Sequence, residues 1–579
     1  MGLTFNCIGY PSSPENVFGV SIAGAITKFE ANETSFPVWS GTVPGTTSAV
    51  EYSYVEVNPA GAAVRSETFT RKLNQTTDTH TYNEFFERPI THHDIIRLPY
   101  TYLATYPSRS KAFKEDQIAT LHLTAPTAAV DAMNNQPLTE TEVRVAFRFI
   151  NAKTIYSQYN ITLQTSGKSS KEFNKQSYKI KFDTDYNQTF YSRPNIKLRS
   201  VATEPTFLRE KIYIDMLNSL GVPTQQGSYV RLFINNKPYG LYLMVDDIKR
   251  SFTKQSVHAD DDTIVPGSLI QANAPMSSIQ ADLVFRGPTS ASYNSDLYIS
   301  QNLGSNEAIE PLGQLIAFMQ DLQAFDAVAT PDPVGYWNAR LDLDGFLRNM
   351  ALEYLTGAHD NYWQAGSNYF LYFNPTLGGS PGKWQWLPTD FDGTFNNGDD
   401  FDPMGSYKTF YNFEKDHPLV SKLIINNTAI NAQFQQILKE IVSTAFKPEA
   451  MNPHIDSLHK MISLDAQWDY TLTRHSPGKT LNFTFEDFNI NILNKTKGIN
   501  AGLKPWVEAR ANAVATELGF AIPAGTPDRV APPPRKKSKG DDDDDVEGGK
   551  ASDDSGAGSL SATIVGLVAM LSSCLMLLV

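Results

Sequence analysis

Between Leu343 and Phe395 the stretch LDGFLRNMALEYLTGAHDNYWQAGSNYFLYFNPTLGGSPGKWQWLPTDFDGTF sets unpaired polar side chains between segments of buried character. Asp360 stands between His359 and Asn361, Asn368 opens an aromatic run, and Asp390 and Asp392 flank Phe391 ahead of Gly393. Carboxylates and an amide meeting at one cleft suit a hard cation with oxygen ligands, and Mg2+ commonly takes one or two protein carboxylates beside nucleotide phosphates. The chemistry so implied is phosphoryl transfer, with one carboxylate taking the acceptor hydroxyl proton and the others serving the metal. Asp and Asn also cap helices and build turns, so the reading rests on the group.

Three elements must position these residues. Apolar side chains at Phe346, Leu347, Met350, Ala351, Tyr354 and Leu355 recur at helical spacing, with Asp342 or Asp344 as N-cap and Gly357 as a left-handed stop. Tyr369 to Phe373 and Lys383 to Leu387 read as two strands around the turn-rich NPTLGGSPG. This hairpin returns the chain to its start, so Asp360, Asn368, Asp390 and Asp392 can converge. Protein kinases follow a similar order of helix, loop Asp, Asn, hairpin and metal-binding Asp. Here the loop reads His-Asp-Asn instead of His-Arg-Asp, and the second motif is Asp-Phe-Asp.

Upstream, Thr162 to Gln164 and Tyr178 to Phe182 resemble strands joined by a Gly/Ser/Lys loop whose N–H groups can face phosphates. Lys175, Lys179 and Lys181 are candidate phosphate partners, although the loop is neither a Walker A sequence nor GxGxxG. A helix is predicted over Pro205 to Leu220, where Arg209 and Glu210 are placed to pair with the lysine strand. YVRLFINNKPYGLYLMVDDI then forms a hairpin about Asn235 to Pro238 and exits into Asp246 and Asp247, a candidate hinge.

KQSYKIKF, LREKIYIDMLNSLGVP, VRLFINNKPYGLYLMVDDI, HDNYWQAGSNYFLYF and WQWLPTDFDGTF occur in this order, and the set resembles the CotH family of spore-coat and fungal cell-surface proteins. The resemblance covers about residues 118 to 520. It implies an α+β, atypical protein-kinase-like, two-lobed fold that binds ATP with Mg2+ (or Mn2+) and phosphorylates Ser/Thr hydroxyls. It matches Asp360 to the loop aspartate and Asp390 to the metal-binding one. Asn368 and Asp392 would complete the metal shell, with Lys175, Lys179 and Glu210 on the nucleotide side. Fungal members are also implicated in adhesion and invasion, so a surface adhesin with a host or cell-wall receptor is the competing expectation. The chain departs from the family in its glycine-rich loop and at Asp246-Asp247, where many relatives have Glu.

At 579 residues the chain exceeds one typical core. Residues 1–95 alternate short strands and turns, as in a small β-sandwich, 96–117 read as a linker, and 118–520 as the kinase-like region. His92 and His93 lack Cys or acidic partners at ligand spacing and read as surface or linker histidines. Asp399, Asp400 and Asp402 read as a solvated acidic run. Helices are predicted over Ala429 to Phe446, Asn452 to Ile462 and Leu503 to Leu518. Residues 521–561 form a disordered stalk by composition, and 562–579 an apolar tail. A net charge of −13 with no basic aromatic stripe argues against nucleic acid. Sequons at Asn32, Asn74, Asn160, Asn187, Asn426, Asn482 and Asn494 point to the secretory route. Small residues Ser555, Gly556 and Ala557 before the tail suit GPI attachment at the cell surface. MGLTFNCIGYP lacks a signal-peptide pattern, so this reading expects a leader missing from the sequence.

Overall fold

The computed structural model describes residues 2–46, 50–73, 79–99, 111–259, 261–274, 279–303, 311–410 and 417–527. The strands begin with β1 (Gly2–Ile8), where Leu3, Phe5 and Cys7 alternate inward. Next come β2 (Val17–Ile22), β3 (Ala25–Lys28), β4 (Val38–Pro44), β5 (Val50–Val57), β6 (Ala63–Ser66), β7 (Arg71–Leu73) and β8 (His80–Phe85). One sheet runs β4-β1-β8, with β8 parallel to β1, and the other β3-β2-β5-β6 with β7 also on β5. Phe5, Cys7, Phe18, Val20, Tyr52 and Tyr54 form the core they share.

A closed barrel follows: β9 (Ala119–Thr124), β10 (Val143–Ile150), β11 (Ile155–Ser166), β12 (Ser177–Lys181), β13 (Asn195–Arg199), β14 (Gly227–Ile234) and β15 (Lys237–Asp246). Its spatial order is β10-β11-β12-β13-β15-β14-β9, and only the β14–β9 contact among its named pairings is parallel. Strand periodicity sorts the residues: Tyr178, Ile180, Ile196 and Leu198 fill the barrel, which sends Lys179, Lys197 and Arg199 to its outer face. Helix α1 (Thr127–Asn135) lies beside the barrel core, and α2 (Arg209–Ser219) packs outside it, buried along its whole length.

The rest is helical around a small sheet. Helices α3 (Gly313–Ala324), α4 (Leu343–Thr356), α5 (Thr428–Thr444), α6 (Pro448–Thr471) and α7 (Leu503–Leu518) share one apolar core with α2. The antiparallel sheet is β17-β16-β18-β19, built from β16 (Ser268–Ala272), β17 (Tyr298–Leu303), β18 (Tyr369–Asn374) and β19 (Lys383–Pro388). Asp342 caps α4 by accepting from Gly345 N–H, and Gly357 ends it at φ +62°.

Two expected helices differ in extent. The helix placed from Pro205 starts at Arg209, because the Glu204 carboxylate accepts from Thr206 N–H and Arg209 N–H and fixes the preceding turn. The helix placed over Asn452 to Ile462 extends from Pro448 to Thr471. Its C-terminal half buries Asp465 and Asp469 on the core face, which breaks the apolar period; both bind the barrel. The N-terminal sheets belong to the same compact unit as the barrel. Tyr10 stacks on Phe233 at 3.9 Å, Arg148 donates to the Glu33 carbonyl, and Arg88 pairs with Asp465 at 2.9 Å.

Among the described residues no helix is long and apolar enough to cross a membrane. The apolar tail, Ser555, Gly556, Ala557 and Asn74 lie outside the described residues. Asn32, Asn160, Asn187, Asn426, Asn482 and Asn494 are all exposed.

Candidate active site

The site begins where α4 ends. After Gly357 the chain passes through His359, Asp360 and Asn361 into the short helix Tyr362–Ala365, reaches Asn368, and runs out along β18 and back along β19. Pairing of Tyr369 with Pro388 brings Thr389 beside Asn368, whose carbonyl accepts from Thr389 N–H at 3.0 Å. Two asparagines stitch the loops together. Asn368 Nδ2 donates to the Asp360 carbonyl and to its Oδ2, at 2.8 and 2.9 Å. Asn361 Nδ2 donates to the carbonyls of Thr389 and Asp390, at 3.1 and 3.3 Å. Asn368 and Asp390 sit at φ +59° and +60°, a left-handed conformation that side chains other than Gly hold at a cost. The stitching holds it. Gly393 is required by close approach, since a Cβ there would lie 2.9 Å from the His359 ring.

The outer face of the barrel completes the site. Arg199, at the end of β13, donates through Nε to Glu210 of α2 at 2.9 Å, while its two terminal nitrogens grip both oxygens of Asp390. Asp392 Oδ1 lies 3.7 Å from the same guanidinium, and its Oδ2 accepts from Thr203 Oγ1 at 2.8 Å. One turn beyond Glu210, Tyr213 stacks on Phe391 at 4.3 Å. Helix α2 thus holds the Asp390 loop twice, through charge at Glu210 and through a ring at Tyr213.

Arg199 was absent from the sequence-based site. Glu210 was expected to pair with the lysine strand, yet its partner is Arg199 on the next strand. The signal was present: Arg199 shares a strand face with Lys197 and precedes α2, so it needed only the strand's period to be followed to its end. The lysines move correspondingly. Lys175 is not in this site; its ammonium is buried, donating to the Leu241 carbonyl and to Asp469 at 2.8 and 2.7 Å. Lys179 pairs with Asp247 at 2.6 Å, and Lys181 with exposed Glu142. Lys197 also reaches Asp247, at 3.1 Å, and Lys249 stands in the field of all three. Lys197 acts only weakly on Asp390 and Lys168 only weakly on Asp360, so neither lysine neutralises these carboxylates.

The electrostatics are unbalanced. Burial and then the charges of Asp390 and Asp392 push the Asp360 carboxyl up to about 6. Burial and neighbouring Asp390 likewise push Asp392 up to about 6, and burial pushes Glu210 up to about 7 despite Arg199. Burial also opposes ionisation of Asp390, but the Arg199 guanidinium outweighs it and holds this carboxyl below the usual range. Three carboxylates therefore crowd one guanidinium, and Asp360 stands in the field of two of them. The cleft is open to solvent, with the Asp390 and Asp392 side chains 35% and 28% exposed. Hard oxygen donors in excess of local positive charge fit a divalent cation. Asn361 Oδ1, buried beside them, has no hydrogen-bond partner among the described residues. No group of three His, Cys, Asp or Glu among these residues already stands at metal-ligand spacing; Arg199 occupies Asp390 instead.

The family model described as CotH kinase protein matches residues 163–497. Invasin CotH3 of Rhizopus delemar is 28% identical over 537 residues, covering 88% of this chain and 84% of that protein. Invasin CotH2 of the same fungus is 26% identical over 484 residues, with 80% and 78% covered. Inner spore coat protein H of Bacillus subtilis is 22% identical over 314 residues, 54% of this chain and 78% of that protein.

Proposed function

The chain belongs to the CotH kinase protein family, and from that premise we propose that it is an atypical protein kinase transferring phosphate from ATP to Ser/Thr hydroxyls. In this reading the barrel with α2 and the helical part with its sheet act as the two lobes, and the segment after β15 is the hinge. The observation that carries it is the chain Glu210–Arg199–Asp390 beside Asp360. Asp360, pushed up to about 6, is a base poised near neutral pH for the acceptor hydroxyl proton. Asn368 fixes that carboxylate by bonding its oxygen and its own carbonyl. Asp390 and Asp392, with Asn368, would hold Mg2+ (or Mn2+), which neutralises phosphate charge when bound with ATP. Arg199 would face the same phosphates from the barrel side, and Lys179 and Lys197 supply positive charge toward the hinge.

The test is incorporation of label from ATP with Mg2+ by the full chain, beside Asp390→Ala. The full chain is the right sample because the N-terminal sheets are bonded to the barrel and to α6. Label in the wild type and none in the variant supports the proposal, and equal labelling removes Asp390 from the metal.

The names of the fungal relatives favour a second, compatible reading. Two are called invasins, so surface display and binding to a host or cell-wall receptor are proposed alongside transfer. GPI anchoring through Ser555, Gly556 or Ala557 would provide that display. Recovery of a peptide ending at Val579 from the mature surface protein would refute it.

A further inference from the structure

A second cleft, of about 510 Å³, opens on the other side of the β13–α2 connection. Its neighbour relation to the active site is direct. Thr203 bonds Asp392, while Ala202 and Glu204 on either side of it line the cleft. The opposite wall is the segment 472–483 that follows α6. That wall is clipped to the β11–β12 loop: Asn174 N–H donates to the Lys479 carbonyl, and Lys479 N–H to that of Glu172. Gly478, at φ +145°, allows the approach, since a Cβ would meet the Glu172 carbonyl oxygen at 2.5 Å.

The charge of this cleft opposes that of the molecule. The chain carries a net −13, yet here Lys175 and Arg474 share the single carboxylate of Asp469. Glu204 adds no counter-charge, being bonded to Arg209 at 2.9 Å. Among the described residues Lys479 pairs with Glu172 alone, both more than half exposed, a contact of little strength. The buried Nη1 of Arg474 finds no hydrogen-bond partner among the described residues. That nitrogen lies beside Gly240 and is closed to the cleft, so what the cleft offers an entering anion is the charge of Lys175 and Arg474 in excess of Asp469. Phe207 and Tyr470 add an apolar wall for the body of the group.

We infer that this cleft binds an anionic side chain, carboxylate or phosphate, of the polypeptide acceptor, so that the enzyme selects hydroxyls with an acidic residue nearby in sequence. The inference rests on the kinase reading for the identity of its ligand. A polypeptide is favoured over a free anion because the cleft adjoins the transfer site, through the bond of Thr203 to Asp392.

The experiment uses fluorescent serine peptides identical except at one position, scanned from two to five residues on either side of the serine, bearing Asp, phosphoserine or Asn. Affinity is read by anisotropy and transfer by label from ATP, on the full chain. At one or two positions the Asp or phosphoserine peptide should bind about tenfold more tightly than the Asn peptide, and Arg474→Gln should erase that ratio. Selection of phosphoserine alone would assign the cleft to phosphate, and selection of both to any anion. Equal binding of all three peptides, or a ratio that survives Arg474→Gln, overturns the inference. Should that variant unfold, a photoreactive group beside the Asp of the preferred peptide must crosslink wild-type residues 470–483; crosslinks elsewhere overturn it. Binding with selection but no transfer sinks the kinase reading and leaves the anion site. Transfer without acidic selection does the reverse. Asn482 lines the same cleft and carries a sequon, so enzymatically deglycosylated protein is run in parallel.

Discussion

Asp390 and Asp469 are both carboxylates met by cations from the barrel, and they have opposite surroundings. Asp469 is fully buried and saturated: Oδ2 accepts from Leu241 N–H and from Lys175, and Oδ1 from Arg474. Even the backbone is fitted to it, since a Cβ on Gly240, at φ +118°, would lie 2.0 Å from Oδ2. Asp390 is partly exposed, held in a left-handed backbone conformation, and shares one guanidinium with Glu210 and Asp392. A saturated buried acid is an internal brace. Acids crowded in an open cleft, short of positive charge, are arranged for a ligand that brings it.

The largest contrast should come from removing each acid. Asp469→Ala leaves Lys175 and Arg474 without their shared partner and should cost about 3 to 5 kcal/mol of stability by denaturant unfolding. Asp390→Ala should leave the unfolding midpoint near wild type while transfer falls below detection. A collapse in stability at Asp390 would merge the two classes and break the comparison. Asp360→Asn should lower kcat by about 100- to 10,000-fold, with the KM for ATP little changed. Arg199→Met should lower kcat/KM by about 100-fold, as loss of a preorganised cation does, whereas Lys181→Met, on the exposed face, should not.

The smallest effect sharpens the electrostatic account. Asp360 and Asp392 have folded values raised above those of the unfolded chain. Their contribution to stability is therefore fully present below about pH 4 and lost as pH rises through about 6. Asp392→Asn should accordingly raise the melting temperature of metal-free protein at pH 7.5 and do nothing at pH 4. It should also lower the pH at which Asp360 titrates in metal-free protein, because Asp360 loses a negative neighbour. A lower melting temperature at pH 7.5 would count against crowding.

Much of this was legible in the residues. The α4 cap and stop, the β18–β19 hairpin and the meeting of Asp360, Asn368 and Asp390 follow from local rules of capping, turn chemistry and strand return. What escaped was long-range or polar. β16, the neighbour of β18, is separated from it by about a hundred residues, and no local period announces that pairing. The length of α6 was hidden because Asp465 and Asp469 lie on its buried face, where periodicity looks for apolar residues. Lys175 was misplaced for the related reason that a lysine in a strand-rich stretch reads as solvated or ligand-facing. Its ammonium instead lies over the Phe207 and Tyr242 rings at 4.7 and 4.9 Å. Arg199 was overlooked because lysine was the expected residue in its role, although guanidinium alone can bridge Glu210 and Asp390 together through separate nitrogens.

The central claim is that the carboxylates around Arg199 await a divalent cation carried with a nucleotide. Calorimetric titration of Mg-ATP into the full chain at pH 6, repeated in buffers of different ionisation enthalpy, counts the protons displaced. The account predicts release of about one proton per site at pH 6, less at pH 8, and no binding to Asp390→Ala. Binding that displaces no proton at pH 6, or that survives in Asp390→Ala, would contradict it.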